Sequence, residues 1–449
     1  MKPPIARYDD PDRLTHLPAD MLIQYCNCQI LRGKTWVDAD LWVENGRIVN
    51  PEPICYVRKR LPDLRIDCCG NFIAPGYIDV QINGGFGVDF SSNGDALPEN
   101  ISKVAMELVK FGVTSFCPTI VSSSPEFYKN ALEKMRCFKR HPMGANCLGL
   151  HLEGPFINKQ KKGAHAERHF VNGFSEDGNN LENVYGSDLS HVCYITMAPE
   201  LPFAMPIIRR LTSSGIKISL GHSTASITVG EEAVINGASC ITHLFNAMLP
   251  FHHRDPGLVG LLTSARIPKG RTLFFGVISD GVHTHDAALR IAHRTHPDGL
   301  ILVTDAVALL GLGDGTHRLG DMNIEVKNKR ALIAGTETIT GSISPLDYCV
   351  RHFQKAARCD SCEALDCASL HPAQFLGIDD RKGQLGFNCD ADFLILNRNL
   401  NVLSTYIEVQ FNVSRFWLCT IEKNSAVYRV SYWPERGDVP DLKQSSCCG

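Results

Sequence analysis

Several features that would assign a chain quickly are missing from this one. No apolar run approaches the ~18 residues of a membrane-spanning helix. The opening residues, Met1-Lys2-Pro3-Pro4-Ile5-Ala6-Arg7-Tyr8-Asp9-Asp10, lack the apolar stretch of an export signal. A soluble, cytoplasmic protein is therefore expected. An excess of one charge is missing too: 45 Lys and Arg stand against 48 Asp and Glu, a formal net charge of −3. There is thus no basic field to hold nucleic acid or an anionic membrane. Neither a Walker loop, nor a G-x-G-x-x-G fingerprint, nor a G-x-S-x-G elbow is present, so any anion would belong to a substrate rather than to a nucleotide cofactor. The 18 cysteines are not few, but without an export signal they are expected to be reduced, small buried hydrophobes rather than a disulfide framework. Cys359-x-x-Cys362 has no second pair to complete a zinc or redox motif and reads as a helix start.

What is present suits a large globular enzyme: 449 residues, 44% hydrophobic and 21% charged. Residues 1–20 are Pro- and Asp-rich and read as a loose arm. Residues 21–74 alternate in short runs, with Asn45-Gly46 as a hairpin signal, and suggest the first part of a small antiparallel β unit. From Ala74-Pro75-Gly76 onward, strand-length apolar runs alternate with helix-length amphipathic ones. About eight such units over 75–383 predict an α/β fold, a closed (β/α)8 TIM-type barrel with right-handed crossovers. The stretch 311–341 reads as loops and a hairpin. Residues 384–407 return to β character and are expected to join the N-terminal strands as one discontinuous β-sandwich. Residues 408–449 read as a tail.

The functional signal lies where the barrel strands stop. Leu148-Gly149-Leu150-His151-Leu152-Glu153 is an apolar run ended by a carboxylate and cut off by Gly154-Pro155. The runs ending at His222, His243 and Asp305 have the same form. If these strands are parallel members of one sheet, the four residues converge at its carboxyl edge. Glu153, His222 and His243 then make an O/N/N set that leaves coordination positions open on one divalent ion, as catalytic zinc requires. Asp305, not needed as a ligand, is placed for general acid/base work. His165 and His283 lie at the same rim, where either could polarise a carbonyl or bind an anion. Asn246-Ala247-Met248 faces the same mouth. Arg254 could grip a phosphate bidentately or pair with Asp255 at the surface.

His151-Leu152-Glu153-Gly154-Pro155-Phe156, Lys162-Gly163-Ala164-His165, Gly221-His222-Ser223, Thr242 to Met248, Asp280-Gly281-Val282-His283 and Val303-Thr304-Asp305-Ala306 resemble, in order and spacing, the N-acetylglucosamine-6-phosphate deacetylases of the amidohydrolase superfamily. The resemblance runs from about Met21 to Tyr406. It implies a barrel flanked by a small β domain and hydrolysis of GlcNAc-6-phosphate to glucosamine-6-phosphate and acetate, a step of amino-sugar catabolism or recycling. Glu153, His222 and His243 look like the metal ligands, Asp305 like the base that later protonates the amine, and His165 like the group polarising the acetamide. Asn246, Ala247, Arg254 and His283 look like substrate and phosphate contacts, with Ala164 and Ile339-Thr340-Gly341 closing around the sugar. The counterpart of Arg254 reaches in from a neighbouring subunit, which implies a homodimer. Two departures stand out. The superfamily's His-x-His is here Gln81-Ile82-Asn83, implying a mononuclear site, and nothing after 407 matches the expected closing strand.

Two rival readings compete. A hydrolase of cyclic amides would want the His-x-His pair and a bridging lysine, and Gln81 and Asn83 argue against it. A non-catalytic scaffold should have lost a ligand or the acid/base group, and none is missing.

Overall fold

The computed structural model describes residues 3–14, 17–18, 20–319, 322–327, 330–336, 339–408 and 410–414. Its centre is a barrel of eight parallel strands: β1 Tyr77–Ile82, β2 Val113–Val121, β3 Leu150–Glu153, β4 Val192–Met197, β5 Lys217–Leu220, β6 Cys240–Ile241, β7 Phe274–Ile278 and β8 Leu300–Val303. Each strand pairs in parallel with the next in chain order. Helices separate them, among them Leu97–Leu108, Pro125–Met135, Ala204–Ser213, Ile227–Ile235, Asp286–Thr295 and Leu346–Ala357. Because helices cover the outside and side chains fill the inside, the strands are buried on both faces; every residue of β1, β3, β7 and β8 is buried. That is why they read as continuous apolar runs. Phe375, on the helix Leu370–Leu376, meets Tyr194 of β4 edge-on, with ring centroids 5.1 Å apart, at the inner end of the barrel core.

The barrel closes by a different device. Among the described residues no ladder joins β8 to β1. Instead the buried Asp79 of β1 accepts from Thr304 Oγ1 at 2.5 Å and from the Thr304 N–H at 3.3 Å. One step further on, the Asp305 N–H donates to the Gln81 carbonyl at 2.8 Å. Burial raises the Asp79 carboxyl to about 7. The two strand ends that carry site residues are therefore fastened by one buried carboxylate and by backbone bonds just past the strands.

The small domain is one continuous sheet of nine strands that takes up both ends of the chain. Ile23–Arg32 and Leu64–Pro75 are its long central strands, and they pair in parallel, so the unit is mixed rather than purely antiparallel. Their register breaks between Cys26 and Cys28, where Asn27, Cys69 and Gly70 take left-handed backbone angles. A bulge of this kind bends a strand, and it lets the two halves of each long strand serve different neighbours. The Asn45-Gly46 hairpin joins Leu41–Glu44 to Arg47–Ile48.

The N-terminal residues are not a loose arm. Ile5–Arg7 pairs with Leu64–Pro75, and Ala6 and Tyr8 are buried in the small-domain core; the partner strand lies too far along the sequence for local reading to supply it. Past 407, Gln410–Ser414 adds a further strand beside Val402–Ile407, so the sheet continues into what read as a tail. The rest of that tail, 415–449, lies outside the described residues. After β8, the stretch read as loops and a hairpin is a three-stranded meander, Gly315–Leu319, Met322–Lys327 and Arg330–Ile333.

Barrel and small domain meet at a buried ion cluster. Lys382 is 6% exposed, and its Nζ donates to Asp392 at 2.6 Å and lies 2.8 Å from Asp390. Asp392 also receives the Gly76 N–H on its carbonyl and the Glu408 N–H on its carboxylate. Removing one partner of a buried ion pair strands the other and costs about 3–5 kcal/mol. Lys382→Met is therefore expected to lower unfolding stability by about that amount, and denaturant titration checks it.

Candidate active site

Glu153 ends β3 and is 2% exposed. The turn after it is fixed by two phenols: Tyr128 and Tyr185 both donate to the Gly154 carbonyl, at 3.1 and 2.7 Å. Gly154 has φ +82, and a Cβ there would sit 2.3 Å from Ser122 Oγ, so only glycine serves. His222, His243 and Asp305 each stand two residues beyond the last residue of β5, β6 and β8. All three have left-handed backbone angles, with φ of 48°, 27° and 46°.

Their side chains meet. His222 Nε2 lies 3.3 Å and His243 Nε2 3.1 Å from the same carboxylate oxygen, Glu153 Oε1, and the two nitrogens are 3.1 Å apart. Two ligand atoms held about 2.1 Å from a tetrahedral ion lie roughly 3.4 Å apart, so the triangle has close to the dimensions of a ligand set. The tautomer agrees for His222, whose Nδ1–H donates to the Lys161 carbonyl at 2.7 Å and leaves the Nε2 lone pair facing inward. Burial opposes charge on Glu153, but the two imidazoles outweigh it and hold the carboxyl well below its usual range. Burial likewise opposes charge on His243, and Glu153 overrides it, raising this ring to about 9.

His165 comes to within 3.8 Å of Glu153 Oε2, but its chemistry differs from that of a ligand. The Ser122 backbone N–H can only donate, and it donates to His165 Nδ1 at 3.2 Å, with Ser122 Oγ at 2.8 Å. The ring proton therefore sits on Nε2, and His165 presents a donor to the cavity. Burial, then the neighbouring rings, lower its pKa to about 3, so it stays neutral.

Asp305 is tied to the same carboxylate. Gln81 Nε2 donates to Glu153 Oε1 at 2.9 Å and to Asp305 Oδ1 at 3.3 Å, and Asn83 Nδ2 donates to Asp305 Oδ1 at 2.8 Å. Of the two amides in the His-x-His positions, Gln81 thus joins both carboxylates through its N–H groups, and Asn83 holds Asp305. Burial and then the Glu153 charge raise Asp305 to about 6. His283 Nδ1 is 2.6 Å from Asp280 Oδ2, and this carboxylate outweighs burial in raising the ring's pKa.

The remaining predicted positions are less drawn together. Ala164 is exposed on the loop before His165. Asn246 and Ala247 form the turn after His243; the Asn246 N–H bonds the His243 carbonyl and the Ala247 carbonyl receives the Ser223 N–H. Ile339, Thr340 and Gly341 return from the meander, and the Val307 N–H bonds the Ser342 carbonyl just beyond them. Gly341 passes so near Val307 that a Cβ would lie 2.5 Å from it. Arg254 is exposed and, among the described residues, makes no ion pair. Asp255 is engaged elsewhere, accepting from the N–H groups of Ile227 and Gly257.

Residues 72–418 match the model of the amidohydrolase family. An N-acetylglucosamine-6-phosphate deacetylase of Homo sapiens is 53% identical over 386 residues, 86% of this chain and 94% of the relative. This chain belongs to the N-acetylglucosamine-6-phosphate deacetylases of the amidohydrolase family. The deacetylase of Danio rerio is 51% identical over 390 residues, 87% of this chain and 96% of the relative. Among solved structures, the deacetylase of Pasteurella multocida superposes with a TM-score of 0.75 at 27% identity, covering 86% of this chain and 98% of the other. An Asp→Ala variant of the Mycobacterium smegmatis deacetylase, in complex with N-acetyl-D-glucosamine-6-phosphate, gives 0.73 at 26% identity, covering 88% and 100%. The family is metal-dependent, and this member has a buried Glu/His group able to hold an ion.

Reading by sequence missed the residues that hold the deacetylase site from behind. Ser122, Tyr128 and Tyr185 carry no motif. Neither does the hydroxyl chain beneath the Glu153 cluster, in which His151 joins Thr119 and Thr196, Thr196 joins Thr242, and Thr242 joins Ser219. Loss of such a supporting group typically costs 10–100-fold in activity or metal affinity. Ser122→Ala should fold and bind metal as before but lose about 10–100-fold in kcat, because His165 Nδ1 loses its 2.8 Å hydroxyl contact and is left with only the longer backbone bond to orient the ring. Steady-state kinetics with metal analysis is the check.

Proposed function

We propose that this chain hydrolyses the acetamide of N-acetyl-D-glucosamine 6-phosphate to D-glucosamine 6-phosphate and acetate, using one divalent ion held by Glu153, His222 and His243. The observation that carries the reading is the convergence of Glu153 Oε1, His222 Nε2 and His243 Nε2 within 3.3 Å of one another, with Asp305 bridged to the same carboxylate through Gln81. Zinc suits the nitrogen-rich donor set and its open positions.

When bound, the ion supplies Lewis-acid polarisation and lets water act as a nucleophile at neutral pH. The rest falls to side chains. His165 donates its Nε2–H to the acetamide oxygen and stabilises the charge that grows there as the carbonyl is attacked. Asp305, poised near 6, takes the proton from the attacking water through the oxygen not held by Asn83 and returns it to the sugar nitrogen as the C–N bond breaks. His283, held by Asp280, binds a sugar oxygen. Asn246, Ala247, Ala164 and Ile339 to Gly341 line the sugar, and Arg254 grips the phosphate.

Arg254 does this best from a second copy of the chain. Its guanidinium, exposed and without an ion pair among the described residues, is suited to reaching a neighbour's barrel mouth, which makes the working unit a homodimer. The phosphorylated sugar and the fifteen described cysteines, all free, point to the cytoplasm, where thiols stay reduced.

Asp305→Asn is expected to keep its bound ion and lose about 10²–10⁴-fold in turnover; undiminished acetate release would remove the assigned role. Arg254→Ala is expected to raise KM for the phosphorylated sugar while leaving the unphosphorylated one nearly unchanged. Mixing Arg254→Ala with Asp305→Asn subunits should restore activity, because a mixed dimer has one site with both groups intact. Absence of rescue would place Arg254 in its own subunit's site.

A further inference from the structure

In the helical layer around the barrel, away from its mouth, three ligand-type side chains from two separate segments come together. His293 lies in the last turn of the helix Asp286–Thr295, Glu363 in the first turn of the helix Ser361–Asp366, and Cys359 just before that helix. One ligand atom from each lies within 4.8 Å of the other two, and His293 Nε2 is 3.9 Å from Glu363 Oε2. His293 is 9% exposed, and its Nε2 has no hydrogen-bond partner among the described residues. An imidazole nitrogen buried without a partner is destabilising, so its place is better explained by something that binds it.

The geometry points to a second metal site, in which His293, Cys359 and Glu363 bind a divalent ion of the zinc class through one nitrogen, one sulfur and one oxygen. Thiolate and imidazole together favour such an ion over magnesium or calcium. The thiolate and the carboxylate supply two negative charges against the ion's two positive ones, and the histidine binds neutral. Burial, and then the Glu363 charge, push the free Cys359 thiol up to about 12, so binding exchanges the thiol proton, released to solvent, for a metal–sulfur bond. Tetrahedral coordination needs ligand atoms roughly 3.4–3.7 Å apart, so the three groups draw inward on binding.

Glu363 is already oriented for this. Asp360 Oδ1 accepts from the Glu363 N–H at 2.9 Å, and Glu363 Oε2 accepts from the Asp360 N–H at 3.2 Å, a capping box that fixes the first turn. Cys362, the other half of the C-x-x-C spacing, is 4% exposed and packs in the main core. Of the partners of Cys359, Glu363 is local and four residues on, whereas His293 comes from the helix Asp286–Thr295, which no sequence spacing announces. An ion here would clamp the helix after β7 to the segment that follows Leu346–Ala357.

Cobalt(II) titrated into the metal-stripped full-length protein reads this site apart from the barrel mouth, whose proposed ligands contain no sulfur. The expected result is a thiolate-to-cobalt charge-transfer band that is complete by two equivalents of cobalt, one for each site, and is lost in both Cys359→Ser and His293→Ala. Bound zinc should fall from two ions per chain to one in Cys359→Ser, with deacetylation unchanged. A wild-type protein without the band, or a band that survives in Cys359→Ser, overturns the site.

Discussion

A carboxylate buried at the end of β3 sets the terms for everything around it. Glu153 is 2% exposed, and an ionised group so placed is tolerable only when paired and hydrogen-bonded. The molecule answers with two imidazoles and the Gln81 amide on one of its oxygens, and with His165 facing the other. That arrangement is expensive to assemble for stability alone, since a well-packed apolar cluster of similar volume would do as well or better. It makes sense as a ligand set, because an ion can take the position where the two Nε2 atoms now crowd one oxygen. The same charge reaches Asp305, which it helps to keep protonatable near neutrality.

The barrel is what makes this convergence possible. Glu153, His222, His243 and Asp305 are distant in sequence, and each lies at or just past a strand's carboxyl end, which in a parallel closed sheet is one rim. For that reason the cluster is legible in the sequence: an apolar run broken by Glu, His or Asp is conspicuous, and the parallel fold brings the breaks together. The supporting residues are not, because their roles depend on which strand lies beside which. Ser122 matters only because β2 neighbours β3, and Asp79 only because β1 meets β8. A serine or a single aspartate inside an apolar strand carries no local sign of either role.

The small domain shows the same limit on a larger scale. Asn45-Gly46 forms a hairpin because the turn chemistry is local. The parallel pairing of Ile23–Arg32 with Leu64–Pro75, and the capture of Ile5–Arg7 beside it, are set by a core shared between both ends of the chain, which no window of sequence contains. The mixed sheet follows from that core. So does the continuation into Gln410–Ser414, where a strand can pair because Val402–Ile407 offers it an edge.

Function also draws on backbone strain. His222, His243 and Asp305 all adopt left-handed angles, a conformation that costs non-glycine residues of order 1–3 kcal/mol each. Glycine at any of these places would relieve the strain and remove the chemistry, so the fold has to hold side-chain-bearing residues there. It does so with bonds to each turn: the Asn158 N–H to the His222 carbonyl at 2.9 Å, the Asn246 N–H to the His243 carbonyl at 2.9 Å, and the Asp305 N–H to the Gln81 carbonyl at 2.8 Å. Beneath them the hydroxyl chain through His151 fixes Thr242, the residue before His243. Burial keeps His151 neutral by lowering its pKa to about 3, so the chain supports Glu153, His222 and His243 without placing a positive charge beneath them. Rigidity of the strand ends and electrostatic neutrality of the layer below are thus two faces of the same requirement, that the Glu153 charge be met from the mouth of the barrel and not from its floor.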